Sequence, residues 1–93
     1  MAEIRRGKRC DHDVTAAILA TSIGGTNRTG IMYGANLSGT LLNKYLTSLV
    51  NNGLLHKVER EGKILYTPTE KGLTFLAKYR DIQRIYPTKT KQH

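Results

Sequence analysis

Between positions 39 and 52 the apolar residues Leu41, Leu42, Tyr45, Leu46, Leu49 and Val50 recur at spacings of one, three and four. That rhythm predicts a helix with one buried stripe. Gly39, Thr40, Asn43, Lys44, Thr47, Ser48 and Asn51 fall on its other face. Ser38 is placed to cap the start of this helix, and Asn52-Gly53 to end it, glycine suiting a left-handed stop. Upstream, Val14, Ala17, Ile18 and Leu19 give a shorter helix one apolar face. Asp11 or Asp13 can cap it, and Gly24-Gly25-Thr26-Asn27 forms the loop that ends it. A second short helix, from about Arg28 to Ala35, contains Gly30 and Gly34 and has poor intrinsic propensity. Packing of Ile31, Met32 and Tyr33 is expected to hold it. Asn36-Leu37 forms the turn into the long helix, with Leu37 pointing inward.

Beyond Gly53 the period changes. Leu55 to Arg60 and Lys63 to Thr67 read as strands around a Glu61-Gly62 turn, with Val58, Ile64 and Tyr66 facing inward. A last helix starts near Thr67 to Thr69. Thr67 with Pro68 and Glu70 fits a capping box with proline at the first helical position, and Thr69 is the alternative cap. Leu73, Leu76 and Ala77 are placed to pack back on the domain. Phe75, Tyr79, Ile82 and Tyr86 are spaced four, three and four, a heptad seam, and Pro87 ends the helix. The order helix, helix, helix, hairpin, helix predicts a mainly α fold with a small β-hairpin, the winged helix-turn-helix arrangement α-α-α-β-β-α. It divides the chain into a flexible basic arm at 1–9, a winged domain at 10–69, a C-terminal helix at 70–86 and a disordered tail at 87–93.

Charge changes the picture next. The 93 residues carry a net +8 at pH 7, which favours a polyanionic partner. The excess sits mainly at the ends: net +3 over residues 1–9, net +4 over 78–93 and only +1 over 10–77. The arm contributes Arg5, Arg6, Lys8 and Arg9. On the third helix, Thr40, Asn43, Lys44 and Thr47 suit a major groove: asparagine pairs with adenine, threonine meets a thymine methyl, and lysine reaches a phosphate or guanine. A helix kept soluble by the same residues is the plainer reading of that face. In the wing, Lys57, Arg60 and Lys63 face Glu59 and Glu61, so Arg60 and Lys63 are the weaker candidates for phosphate contact.

The run Gly30-Ile31-Met32-Tyr33-Gly34-Ala35-Asn36-Leu37-Ser38 resembles a family of small archaeal winged-helix proteins. Tyr45-Leu46, Leu49, Gly53-Leu54 and Tyr66-Thr67-Pro68-Thr69-Glu70-Lys71-Gly72 extend the likeness, which covers roughly residues 12–86. That family includes transcriptional regulators and small basic chromatin proteins. The resemblance implies a homodimer joined by an antiparallel coiled coil of the C-terminal helix, with Phe75, Tyr79, Ile82 and Tyr86 in the matching place. The helix here is short: Glu70 to Tyr86 is 17 residues, or ~26 Å. The resemblance also implies a basic phosphate contact near Gly30, where Arg28 stands two positions earlier. Thr29 and Ser38 complete the expected contacts of the helix-turn-helix.

Other chemistry finds little support. Cys10-Asp11-His12-Asp13 holds four potential metal ligands in a row, but zinc sites draw convergent ligands from separated pairs, and only His56 and His93 could add to it. The Gly24–Gly30 loop lacks the Gly-Lys-Ser/Thr ending of a phosphate loop and no strand precedes it. No catalytic set, cofactor, metal or small-molecule ligand is expected. No apolar run approaches the ~20 residues that span a bilayer. The charged start has no signal-peptide pattern, and the single cysteine makes no internal disulfide, so a cytoplasmic, nucleoid-associated protein is expected. The reading that follows is a sequence-specific regulator bound to double-stranded DNA. The alternatives are an architectural chromatin protein with little sequence preference and a winged helix used for protein interaction.

Overall fold

The computed structural model describes residues 11–87. Helix α1 spans Asp11–Ser22, α2 Arg28–Ala35 and α3 Gly39–Asn51. Strands β1 (Leu55–Arg60) and β2 (Lys63–Pro68) form an antiparallel hairpin, and α4 spans Glu70–Ile85. The expected order of elements is therefore met. Among the described residues, no helix is long and apolar enough to cross a membrane.

The core lies where α1, α2, α3 and the base of the hairpin converge. Ile18, Leu19, Ile31, Leu42 and Leu55 are its most enclosed large side chains, joined by Val14, Leu46, Leu49, Tyr66 and Leu76. In α1 the expected Val14, Ile18 and Leu19 are buried and Ala17 is half-buried, and the buried face is broader than these: Thr15, Ala16 and Ser22 are buried as well. Asp11 and Asp13 lie within its first turn, where carboxylates oppose the positive end of the helix dipole.

Caps account for the short helices. Asn27 Oδ1 accepts the Gly30 N–H at 2.8 Å and starts α2. Asn36 ends it in the left-handed region at φ 58°, with Leu37 N–H donating back to Met32 O at 3.0 Å. Ile31 and Ala35 anchor α2 in the core. Tyr33, expected to help, is 75% exposed: Ile31 and Ala35, four apart, share a face that Tyr33 does not. Ser38 Oγ accepts the Leu41 N–H at 3.2 Å, the cap expected for α3. Leu42, Leu46 and Leu49 form the buried stripe, while Leu41 lies at its margin and is 39% exposed.

The hairpin turns at Glu61 (φ 53°) and Gly62 (φ 78°), the two positive φ values of a tight primed turn. Lys57 pairs with Tyr66 and Val58 with Leu65. Alternation puts Leu55, Lys57, Ile64 and Tyr66 on one face, with Val58 on the other. Leu55 and Tyr66 are buried at the base. Ile64, expected to face inward, shares their face but is 42% exposed, because it lies out along the ribbon where no helix covers it. A single-residue β-bridge was not foreseen: Thr26 and Tyr66 exchange backbone hydrogen bonds of 3.0 and 2.8 Å. This bridge ties the α1–α2 loop to the hairpin.

Thr69, not Thr67, caps α4. Its Oγ1 accepts the Gly72 N–H at 3.0 Å and donates to Gly53 O at 2.6 Å, while Thr67 is in β2, paired with His56. The face of α4 that meets the domain is Gly72, Phe75, Leu76 and Tyr79. Leu73 is 46% exposed and Ala77 is exposed, so neither packs as expected. Phe75 stands edge-on to the His12 ring at 5.8 Å, and Tyr79 donates its hydroxyl hydrogen to Asp13 Oδ1.

Candidate nucleic-acid interface

The outer face of α3 carries Thr40, Asn43, Lys44, Thr47, Ser48 and Asn51, all exposed. Two hollows flank it. On the wing side, Asn43, Thr47, Val50 and Asn51 meet Lys57 and Tyr66 of the hairpin around a groove of about 350 Å³. Among the described residues, no carboxylate lines this groove. On the α1 side, Leu41, Lys44, Tyr45 and Ser48 meet Asp11 and Thr15 around a hollow of about 450 Å³. Tyr45 closes part of it by donating its hydroxyl to Asp11 Oδ1 at 2.7 Å. Asn43 and Lys44, neighbours in sequence, thus face different surroundings. Lys44 lies toward the helix that follows the basic arm, and Asn43 lies toward the wing.

Arg28, expected at a phosphate, is turned onto α3. Its Nε–H donates to Asn43 Oδ1 at 2.8 Å, and Nη2 donates to Gly39 O at 3.1 Å. Thr29 is exposed beside it. Ser38 is exposed too, with its oxygen engaged by the Leu41 N–H. Neither α2 nor α3 has an acid in its first turn, whereas α1 and α4 do. The positive ends of the two helices nearest this surface are therefore uncompensated by carboxylates of their own, a favourable setting for phosphate.

Arg60 and Lys63 are paired across the end of the hairpin and exposed, next to Glu59 and Glu61. Lys57 and Asn51 were missing from the candidate contacts. The strand period could have found Lys57, two residues after inward-facing Leu55 and therefore on the side of the helices. The arm residues Arg5, Arg6, Lys8 and Arg9 lie outside the described residues. So do Cys10 and His93. Among the described residues no group of three His, Cys, Asp or Glu side chains is arranged to hold a metal ion.

On α4, Phe75 and Tyr79 are half-buried against α1. Ile82 borders a hollow shared with His12 and Asp13 of α1, and Ile82, Ile85 and Tyr86 are 54%, 81% and 73% exposed. The four-residue seam is split accordingly: its first half packs within the chain and its second half is open.

The winged helix-turn-helix family model matches residues 8–86, almost the whole chain. The chain belongs to the winged helix-turn-helix family. Its members are DNA-binding regulators rather than enzymes. Among solved structures, the winged helix superposes on Sso10a-2, a DNA-binding protein from the archaeon Sulfolobus solfataricus, with a TM-score of 0.76 and 26% identity over 83% of this chain and 81% of that one. A predicted DNA-binding transcriptional regulator from E. coli matches with a TM-score of 0.60 and 20% identity over 76% and 75% of the two chains. BpsR of Bordetella bronchiseptica, whose DNA binding is regulated by 6-hydroxynicotinic acid, matches at 0.67 and 16% over 88% of this chain and 60% of its own. The last two likenesses establish the shared winged-helix fold. No curated protein matches the chain in sequence.

Proposed function

We propose that this winged helix is a transcriptional regulator that binds double-stranded DNA sequence-specifically as a homodimer. The observation that carries the reading is the carboxylate-free groove formed by Asn43, Thr47 and Asn51 of α3 with Lys57 of the wing. An α-helix fits the major groove, and here the helix offers short polar side chains to base edges, with a cation beside them for the backbone. Thr40, Asn43, Lys44 and Thr47 take the base-facing positions. Thr29, Ser38, Lys57, Arg60 and Lys63 take phosphates, with the arm residues Arg5, Arg6, Lys8 and Arg9 on the backbone or in the minor groove. The likeness to a DNA-binding protein at 26% identity supports the same partner. Ile82 and Ile85 at the end of α4, with Tyr86 in extended backbone just past it, form the surface offered to a second copy. The winged domain then ends at 69, and the helix at 70–86 joins two copies. A DNA partner gives the protein its place at the nucleoid, in the cytoplasm.

The second reading, an architectural protein with little sequence preference, is favoured by the placement of most net charge in the two ends. A salt series on random and genomic duplexes separates the two. A strong preference for particular fragments supports the regulator. A steep salt slope with equal affinity for all fragments supports the architectural protein, since neutralised phosphates set that slope. No binding at low salt sinks both. Asn43→Ala and Lys44→Ala should weaken binding with the fold intact; if both bind like the parent, α3 is not the reader.

A further inference from the structure

Asn43 stands on the exposed side of α3, but its amide is held from behind. Arg28 Nε–H donates to Asn43 Oδ1 at 2.8 Å, while Arg28 Nη2 donates to Gly39 O at 3.1 Å. The second bond fixes the guanidinium on the first turn of α3, four residues before Asn43. Gly39 makes the space: a Cβ there would lie 3.0 Å from Arg28 Nη2. A guanidinium only donates, so the carbonyl oxygen of the amide must face it. Arg28 takes one of that oxygen's two lone pairs, so the group left wholly to a ligand is the NH2.

We propose that Arg28 is a positioning residue for base readout, turning Asn43 into a donor that selects guanine. The proposal rests on the DNA-binding reading above. An unconstrained asparagine pairs with adenine by accepting from N6 and donating to N7. With Oδ1 committed to Arg28, that two-way pairing is disfavoured. Guanine presents only acceptors, N7 and O6, on the same edge, and these suit an outward NH2 group. A good bidentate contact discriminates between bases by roughly 5- to 150-fold, and a contact through the NH2 group alone falls toward the lower end of that range. Arg28 touches no base in this scheme and acts through Asn43.

The test combines binding-site selection from randomised duplexes with salt titrations, using the full chain. The parent protein should select guanine at one position of each half-site. Asn43→Ala should lose that preference and no other. Arg28→Met removes every donor facing Asn43 Oδ1, and should lose the same preference at the same position. The double variant should be no worse than either single one. Arg28→Met should leave the salt slope on random DNA as in the parent. A slope lower by about 0.9, with affinity reduced alike on all sequences, would make Arg28 a phosphate contact and overturn the proposal. Guanine preference retained in Arg28→Met, or adenine selected by the parent at this position, would overturn it too. A DNA-free measurement keeps the two readings apart. By NMR, the Arg28 Nε–H should exchange more slowly with water than that of exposed Arg80, and Asn43→Ala should abolish the difference. Equal exchange in the parent refutes the clamp whatever the protein does with DNA. A clamp present in a protein that binds no duplex refutes the DNA-binding reading, and the base readout with it.

Discussion

Gly72 presents its bare Cα to the backbone carbonyl of Leu54, an oxygen that also accepts the Thr69 N–H at 3.1 Å. The first turn of α4 therefore sits directly on the segment joining α3 to the hairpin. A methyl group at 72 would collide with that carbonyl and press on Leu19 Cδ2 at 3.2 Å. The obstacle is backbone, so relief requires α4 to move. Gly72→Ala should destabilise the fold by about 2–3 kcal/mol, despite alanine's better helix propensity. Thermal unfolding should fall by roughly 10–20 °C for a domain of this size. An unchanged midpoint would show that α4 is not seated this closely.

The cap of α4 leads to a second expectation. Thr69 Oγ1 both accepts the Gly72 N–H and donates to Gly53 O, so one hydroxyl joins the start of α4 to the end of α3. Thr69→Ala should cost about 1–2 kcal/mol. Thr67→Ala should cost less, since Thr67 is a half-buried strand residue whose backbone makes its pairing. Denaturant midpoints of the two variants, compared at equal m-value, decide between them. The reverse ranking would restore the capping box at Thr67.

That choice shows what could be read from sequence and what could not. Caps and periods are local, so the bounds of α2, the Ser38 cap and the Glu61-Gly62 turn were legible. Two threonines with equivalent local patterns were not separable, because the deciding partner, Gly53 O, is 16 residues away. Ile64 failed for a related reason: it belongs to an apolar pattern, but whether it is covered depends on where other elements stop. Tyr33 is different, since the helical period alone sets it off the face shared by Ile31 and Ala35. The Thr26–Tyr66 bridge is a contact across 40 positions with no periodic signal. At the site, the residue types on α3 were legible from the polar face of its helix. The hold of Arg28 on Asn43 spans two helices, and only the folded chain brings the pair together.

Glu61 is the one wing residue whose backbone and charge both work against the proposed role. It sits at φ 53°, a region that suits asparagine better than glutamate, and it places an acid at the tip between Arg60 and Lys63. Glu61→Asn gives the Asn-Gly pair favoured in primed two-residue turns. It should stabilise the protein by about 0.5 kcal/mol through easier left-handed backbone. It should also raise affinity for duplex DNA severalfold at low salt, an advantage that fades as salt screens the wing. Parallel melting curves and binding titrations at two salt concentrations check both effects. Stabilisation without any gain in affinity would mean that the wing tip stays away from the phosphates.

The dimer must be tested on the part of α4 that its own domain leaves open. Tyr79 bonds to Asp13 and Phe75 stands against His12, so charges placed there would disturb the fold and confuse the result. Ile82, at the edge of the hollow beside His12 and Asp13, and Ile85, further along, are 54% and 81% exposed. Ile82→Glu with Ile85→Glu should leave the domain's melting behaviour in the monomer nearly unchanged, because neither side chain belongs to the core. If a second copy covers this surface, the parent should have twice the chain mass by light scattering and the variant should fall to one chain mass. The burial lost would include both isoleucines in each chain, at about 1.5–3 kcal/mol for each side chain fully enclosed. Tyr79→Phe serves as the control: it removes the Asp13 bond while keeping the ring, and should lower stability without changing mass. A parent of single-chain mass, or a double variant that keeps the mass of two chains, would move the interface away from the end of α4.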